Sequence, residues 1–290
     1  MRNADIMHRK VILLKEVIIM AMWKENKLRT LLNEGKPSVS TRLWSPWAFY
    51  AEALASTGKF DYMEFVGEYA PFTQYDLENM CRASELGQMG SMMKVDFQSR
   101  GYFAQKAVCA GFQAIMFADH ESCDQVRESI SMMKPKTPQH GGHFGFPNRR
   151  YIGCQSHIGQ MAHADRLNDI VLSFMIEKHE TVDNIDELCS IPGVDMIQFG
   201  PSDYCMSLGY NRGEYVNEFK EAERKCIKAA LAHGVQPRCE IGTADDAKYY
   251  IDLGVRHFSI GDQFKVIKAF WEKEGDKMAQ VLVDEKIIEG

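Results

Sequence analysis

The sequence predicts a closed (β/α)8 TIM barrel in a single domain with a long loop after strand four, and three observations carry that expectation. From about residue 24 onward, short apolar runs rich in β-formers alternate with longer stretches whose apolar residues recur at helical spacing. Glycines stand where a helical stretch gives way to a strand, at Gly58, Gly111, Gly234 and Gly254. Glycine accepts the left-handed cap conformation there without steric cost. The alternation amounts to eight strands and eight following helices. A doubly wound open sheet also alternates, but it often carries a G-x-G-x-x-G loop, and none occurs here.

The elements follow in order. Ser38–Leu43 is the first expected strand and Trp47–Thr57 its helix, stopped by Gly58. Asp61–Val66 and Gln74–Leu86 form the second unit, and Met89–Val95 and Phe103–Ala110 the third, stopped by Gly111. Ala114–Ala118 and Cys123–Met133 form the fourth. Pro135–Asp169 breaks the rhythm, being rich in Gly, Pro, His and Arg. Lying between strands four and five, it is expected to reach the C-terminal face, where barrels hold their active sites. Val171–Ile176 and Val182–Cys189 make the fifth unit, and Asp195–Phe199 is the sixth strand. Tyr215–His233 is a charged-face amphipathic helix ending at Gly234. Gln236–Cys239, Ala244–Leu253, His257–Ile260 and Gln263–Lys273 complete the set.

Composition narrows the partners. The 290 residues are 45% hydrophobic and 26% charged, with a formal net charge of −6. No Lys/Arg block exceeds two residues, which argues against a nucleic-acid surface or a polybasic membrane patch. Eight scattered cysteines without a C-x-x-C pair read as reduced thiols of a cytoplasmic protein. Residues 1–23 are expected to be an N-terminal extension. Arg2, His8, Arg9 and Lys10 ahead of VILLKEVIIMAM imitate a signal peptide, but Lys15 and Glu16 interrupt the apolar run. That run is also far short of the ~20 residues a membrane span needs.

Chemistry is expected where acids follow strands. Glu177 closes VLSFMIE and Asp203 sits in QFGPSD, just past the next strand. Carboxylates from neighbouring parallel strands point into one mouth and repel each other unless a cation lies between them. Hard oxygen ligands there suit Mg²⁺ or Mn²⁺. The bland alternative is that Glu177 caps the next helix and Asp203 makes an Asx turn. His140 and His143 (HGGH) lack the spacing of a zinc site and read as loop histidines or substrate contacts. Arg149 and Arg150 are either a solvated pair or a clamp for a carboxylate or phosphate. Trp44, Trp47 and Phe49 read as packing between barrel and helix, and the seventeen methionines as core filling.

These residues carry a resemblance. Ile176-Glu177, Asn184-Ile185-Asp186, Gly193-Val194-Asp195, Gly200-Pro201-Ser202-Asp203 and Ser207-Leu208-Gly209 together resemble the HpcH/HpaI family of metal-dependent class II aldolases acting on 2-keto acids. Gly67-Glu68-Tyr69-Ala70-Pro71 is similar to the family's GEHAP-type loop, and Gly142, Gly145, Arg149, Tyr151 and Gly153 to its Gly/Arg-rich loop. The likeness runs from about residue 27 to 270.

The resemblance implies a (β/α)8 barrel, a trimer or hexamer with an exchanged C-terminal helix, and a divalent ion on Glu177 and Asp203. It implies that the ion chelates the 2-keto acid, polarises its carbonyl and stabilises the enolate formed as the C–C bond breaks. Gly200 and backbone N–H groups near Ser202 are expected to hold the substrate carboxylate, with Arg149 a further candidate. The departures are as informative. Tyr69 stands where the family has its proton-handling His, with Glu68 beside it. Lys94 stands for the enolate-steadying Arg, Met175 for a Gln, and Cys109 and Val66 for two Asp residues. A Tyr is a poor base at neutral pH but a usable proton donor. Lys keeps the charge of Arg and loses its bidentate fork. The expected activity is therefore a carbon–carbon lyase on a 4-hydroxy-2-keto acid. The alternatives are a barrel that binds metal and keto acid without turnover, and a CoA-thioester lyase related to citrate lyase β chains.

Overall fold

Parallel strands with apolar faces need cover on both sides, and closing the sheet on itself with helices outside provides it. The computed structural model describes residues 24–147, 149–154 and 158–288. The expected extension at residues 1–23 lies outside them. Eight strands form a closed barrel in sequence order: β1 Ser38–Leu43, β2 Tyr62–Val66, β3 Gly90–Val95, β4 Ala114–Phe117, β5 Val171–Ile176, β6 Met196–Phe199, β7 Gln236–Ile241 and β8 His257–Asp262. Every pair is parallel, and β8 returns to β1.

The helices are α1 Lys27–Asn33, α2 Ala48–Ser56, α3 Gln74–Leu86, α4 Arg100–Ala110, α5 Cys123–Met133, α6 Gln160–Asn168, α7 His179–Asp183, α8 Ile185–Ser190, α9 Pro201–Ser207, α10 Val216–Ala232, α11 Ala247–Asp252 and α12 Gln263–Asp284. Several starts are capped by side chains. Thr73 and Ser122 make capping boxes with Asp76 and Gln125. The stretch expected as one helix over 182–189 is two. Asn184 divides it, its side chain donating to the Glu180 carbonyl at 2.9 Å. Among the described residues no helix is long and apolar enough to cross a membrane.

Helix α1 closes the N-terminal end of the barrel. Leu28 is buried against Tyr62, Met92 and Ala114. Asn26, its N-cap, also donates to the Gln113 and Asp169 carbonyls at 2.7 and 2.8 Å. Arg29 grips Asp195 with both terminal nitrogens at 2.7 Å.

The segment Pro135–Asp169 departs from expectation. It follows α5, which has already carried the chain back, so it emerges at the N-terminal end of the strands and away from the C-terminal mouth. Arg150 donates to the Ala110 carbonyl at the end of α4 and pairs with Glu85 near the end of α3. Nor is the segment structureless, since it contains a 3₁₀ turn at Arg150–Ile152 and the helix α6.

The barrel interior is divided. Met92, Met116, Met175 and Met196 fill the side of β3 to β6 as an apolar cluster. On the other side Arg238 is fully buried and binds Glu64 and Ser40 through Nη2 at 2.5 and 2.9 Å, Tyr62 through Nε at 2.8 Å, and Gln198 through Nη1. Above it Arg42 bridges Glu240 and Asp262 at 2.8 and 3.2 Å. Breaking a buried ion pair by removing one partner strands the other charge. Arg238→Met alone is therefore expected to cost about 3–5 kcal/mol in urea denaturation. The double variant Glu64→Leu/Arg238→Met should recover most of that loss. A single-variant cost below about 1 kcal/mol would show that the pair is not what holds this half of the barrel.

Candidate active site

The C-terminal mouth of the barrel collects the charged groups. Glu177 follows β5 directly and is buried. Its Oε1 accepts the backbone N–H of Asp119 at 2.8 Å. Asp119 lies just past β4 and adopts a left-handed backbone, φ 58°. Asp tolerates that region better than most residues, and the turn it makes aims the N–H at Glu177. The next residue braces this turn. His120 is buried among Phe97, Phe117 and Phe174. Its Nδ1 meets the Ala118 carbonyl at 2.9 Å and its Nε2 meets Ser129 Oγ at 2.8 Å. Burial first, then the Arg100 charge, pushes His120 down to about 4, so the ring is neutral.

Glu68 arrives from the loop after β2. Its Oε2 lies 2.5 Å from Lys94 Nζ, and both side chains are nearly enclosed. Lys178 Nζ lies 2.6 Å from Asp119 Oδ1. Among the described residues, carboxylate oxygens of Glu68, Asp119 and Glu177 lie within 4.8 Å of one another. Asp203 is not in that group. It sits on the first turn of α9, where its charge acts on Tyr69 and Lys178. With all four carboxylates ionised against Lys94 and Lys178, the mouth carries two uncompensated negative charges.

The titration of these groups follows from their burial. Desolvation raises Glu177 to about 7, and the nearby Glu68 and Asp119 add to it, while Lys94 and the Asp119 N–H oppose it. Burial also raises Glu68 despite Lys94. For Lys94 burial works against the charge, but Glu177 and Glu68 outweigh it and hold the ammonium above its usual range. Lys94 is thus a fixed cation, suited to attracting an oxyanion and unsuited to acting as an amine nucleophile. Tyr69 is raised by burial and by Glu68, so its hydroxyl keeps its proton at neutral pH. Its ring lies over Lys94, 5.7 Å from Nζ to centroid.

One observation bears directly on a cation. Glu177 Oε2 is buried and has no hydrogen-bond partner among the described residues. An ionised oxygen in that state is costly unless something positive meets it. Gly200 frames it: a Cβ at that position would lie 2.7 Å from Oε2. The donor set is all oxygen, which suits a hard divalent ion.

The structure brings together Lys94, Glu68, Tyr69, Glu177 and Gly200 from the expected residues, with Asp203 at the edge. Ser202 is exposed beside Asp203, its Oγ accepting from Arg212 at 3.3 Å. Arg149 is placed elsewhere. It pairs with Glu78 on the outer face of α3 and lies near Cys109 on α4. The reason is topological, since its loop leaves from the helix side of the fourth unit and not from the strand. His140 is held by Thr137 at 2.7 Å in that same segment. Asp119 and Lys178 escaped the reading of the sequence. The rule that singled out Glu177, an acid just past a strand, also applies to Asp119 in MFADHES.

Comparison with known proteins agrees with the fold. The model of the HpcH/HpaI aldolase/citrate lyase family matches residues 54–265. The hydroxypyruvate/pyruvate aldolase of Delftia acidovorans is 26% identical over 249 residues, covering 84% of this chain and 88% of its own length. The 4-hydroxy-2-oxo-heptane-1,7-dioate aldolase of Escherichia coli is 22% identical over 245 residues, covering 82% and 88%. The HpcH/HpaI aldolase structure from Desulfitobacterium hafniense DCB-2 superposes with a TM-score of 0.77 at 20% identity, covering 87% of this chain and 96% of that one. The barrel, the acid-rich mouth after β2, β4 and β5, and the family match over most of the chain together make this protein a member of the HpcH/HpaI aldolase/citrate lyase family.

Proposed function

We propose that the protein is a divalent-metal-dependent aldolase that cleaves or forms a 4-hydroxy-2-keto acid through a pyruvate-type enolate. The observation that carries this reading is the unpartnered, buried Oε2 of Glu177 in a ring of acids whose charge the lysines only partly balance. Glu177 would hold the ion, helped by the surrounding carboxylates of Asp119 and Asp203. Mg²⁺ and Mn²⁺ are the candidates. When bound, the ion supplies Lewis-acid polarisation of the ketone.

The chain's own groups do the rest. Lys94, kept protonated and positioned by Glu68, attracts the oxygen on which negative charge develops. Tyr69, which retains its proton, donates to the oxygen of the departing or arriving aldehyde. The substrate carboxylate lies toward Gly200 and the start of α9 at Ser202. Helix α12 supports a homo-oligomer, trimer or hexamer. Among the described residues nothing buries any part of it fully, and it exposes Phe264, Val266, Phe270, Trp271, Met278 and Val281. All eight cysteines are free, in keeping with a cytoplasmic site of action.

Four outcomes test this. Glu177 titrates near 4.5 in the unfolded chain and near 7 in the fold. Stability is therefore lost as pH rises from about 4.5 to 7, and the full cost stands above 7. Without metal, Glu177→Gln should gain about 1–3 kcal/mol at pH 8 in thermal or urea unfolding and gain nothing below about pH 4.5. Mn²⁺ should raise the Tm of the wild type and leave that of the variant unmoved; equal shifts in both would remove Glu177 from the site. Pyruvate release from 4-hydroxy-2-keto acids should fall about 10²–10³-fold in kcat for Lys94→Ala, and an unchanged kcat would take Lys94 out of the mechanism. Light scattering should show a trimer or hexamer that Phe270→Glu/Trp271→Glu reduces in mass; a wild-type monomer would contradict the role given to α12.

A further inference from the structure

The loop after β1 delivers Trp44 to the mouth, an aromatic residue that the chemistry above does not use. Trp44 stacks on Tyr69 with their planes 12° apart and centroids 6.2 Å apart. Tyr69 is 60% exposed, so one face of this pair is open to solvent. The pair abuts the reacting groups, since the Tyr69 ring lies over Lys94, which meets Glu68. Trp44 is held in register from the neighbouring strand end, since β8 pairs with β1. Gln263, the residue after β8, accepts the backbone N–H groups of Trp44 and Ser45 with its Oε1 at 2.9 and 3.0 Å. The indole N–H of Trp44 is itself buried and has no acceptor among the described residues. Farther out Trp47 packs on Phe49 and Tyr50, continuing the aromatic rim.

A flat, fixed π-surface with a solvent-open side selects for its own kind. Aromatic rings gain from offset or edge contacts beyond the area they bury, and saturated groups of the same size do not. A pocket that merely excluded water would hold either equally well. Gln263 fixes the orientation of the surface before the substrate arrives, which spares the ordering cost on binding.

We infer that Trp44 and Tyr69 form the wall of the acceptor subsite, and that the aldehyde partner is an aromatic aldehyde. The inference rests on the aldolase reading and names its second substrate. In the addition direction C3 of pyruvate loses a proton and bonds to the aldehyde carbon. The aldehyde oxygen takes up one proton and becomes the 4-hydroxyl, so the product is the sum of the two reactants. Trp44 is a specificity-determining residue in this scheme, and Gln263 is a positioning residue.

The test compares benzaldehyde with cyclohexanecarbaldehyde, which is close in size but not flat, using the full chain with pyruvate and Mn²⁺. Wild-type kcat/KM should favour benzaldehyde about fivefold or more. Trp44→Leu, which keeps apolar bulk and loses the flat face, should bring the ratio near one, and Trp44→Phe should keep at least half of the preference. A wild-type ratio at or below one, or a ratio unmoved in Trp44→Leu, overturns the inference. Deuterium exchange into the pyruvate methyl group reads the enolate step without any aldehyde. Exchange without aryl preference sinks the acceptor assignment alone; no exchange with either Mg²⁺ or Mn²⁺ sinks the aldolase reading and the acceptor assignment with it.

Discussion

The repulsion among carboxylates at the barrel mouth organises everything around it. Glu68, Asp119 and Glu177 come from three different strand ends, yet their oxygens lie within 4.8 Å of one another. Left alone, such a group protonates or separates. Here it is held by Lys94 on Glu68, Lys178 on Asp119 and a backbone N–H on Glu177. These contacts satisfy part of the charge and leave one Glu177 oxygen exposed only to the interior. The site is thus poised to take a cation without being built to collapse in its absence.

The two halves of the interior serve this arrangement differently. The methionine side, under β3 to β6, lets unbranched side chains fill the irregular space beneath Lys94 and Glu177. The ionic side, around Arg238, is buried and bonded within itself, so removing one member strands the charge or polar group of another. Glu64 of that network acts on Lys94 from below, adding to the field that keeps the ammonium charged. The floor of the barrel therefore contributes to the electrostatics of its mouth.

The rewritten positions make sense as a set once the geometry is known. Tyr69 does not stand alone as a substitute for an imidazole. It stacks on Trp44 and covers Lys94, so a tyrosine at this position also shapes the mouth. Lys94 meets Glu68 as a compact point charge, through Oε2 alone.

Much of the architecture was legible in the residues themselves. Periodicity and the stop glycines located all eight strands to within a residue or two, because burial on both faces forces continuous apolar runs and Gly58, Gly111, Gly234 and Gly254 take the positive φ that ends their helices. Glu177 was legible for a similar reason: an acid following a buried strand has few places to go. Tertiary structure decided the rest. It set Asp119 beside Glu177 through a left-handed turn that no spacing reveals. It carried Arg149 to the far end, because α5 reverses the chain before its loop begins. It set Trp44, after β1, against Tyr69, after the neighbouring β2, with the Trp44 backbone held by the Gln263 side chain after β8. Local sequence determines the conformations a segment prefers, and through them the alternation that closes the barrel; which side chains meet depends on contacts between distant residues, and only the closed sheet makes those.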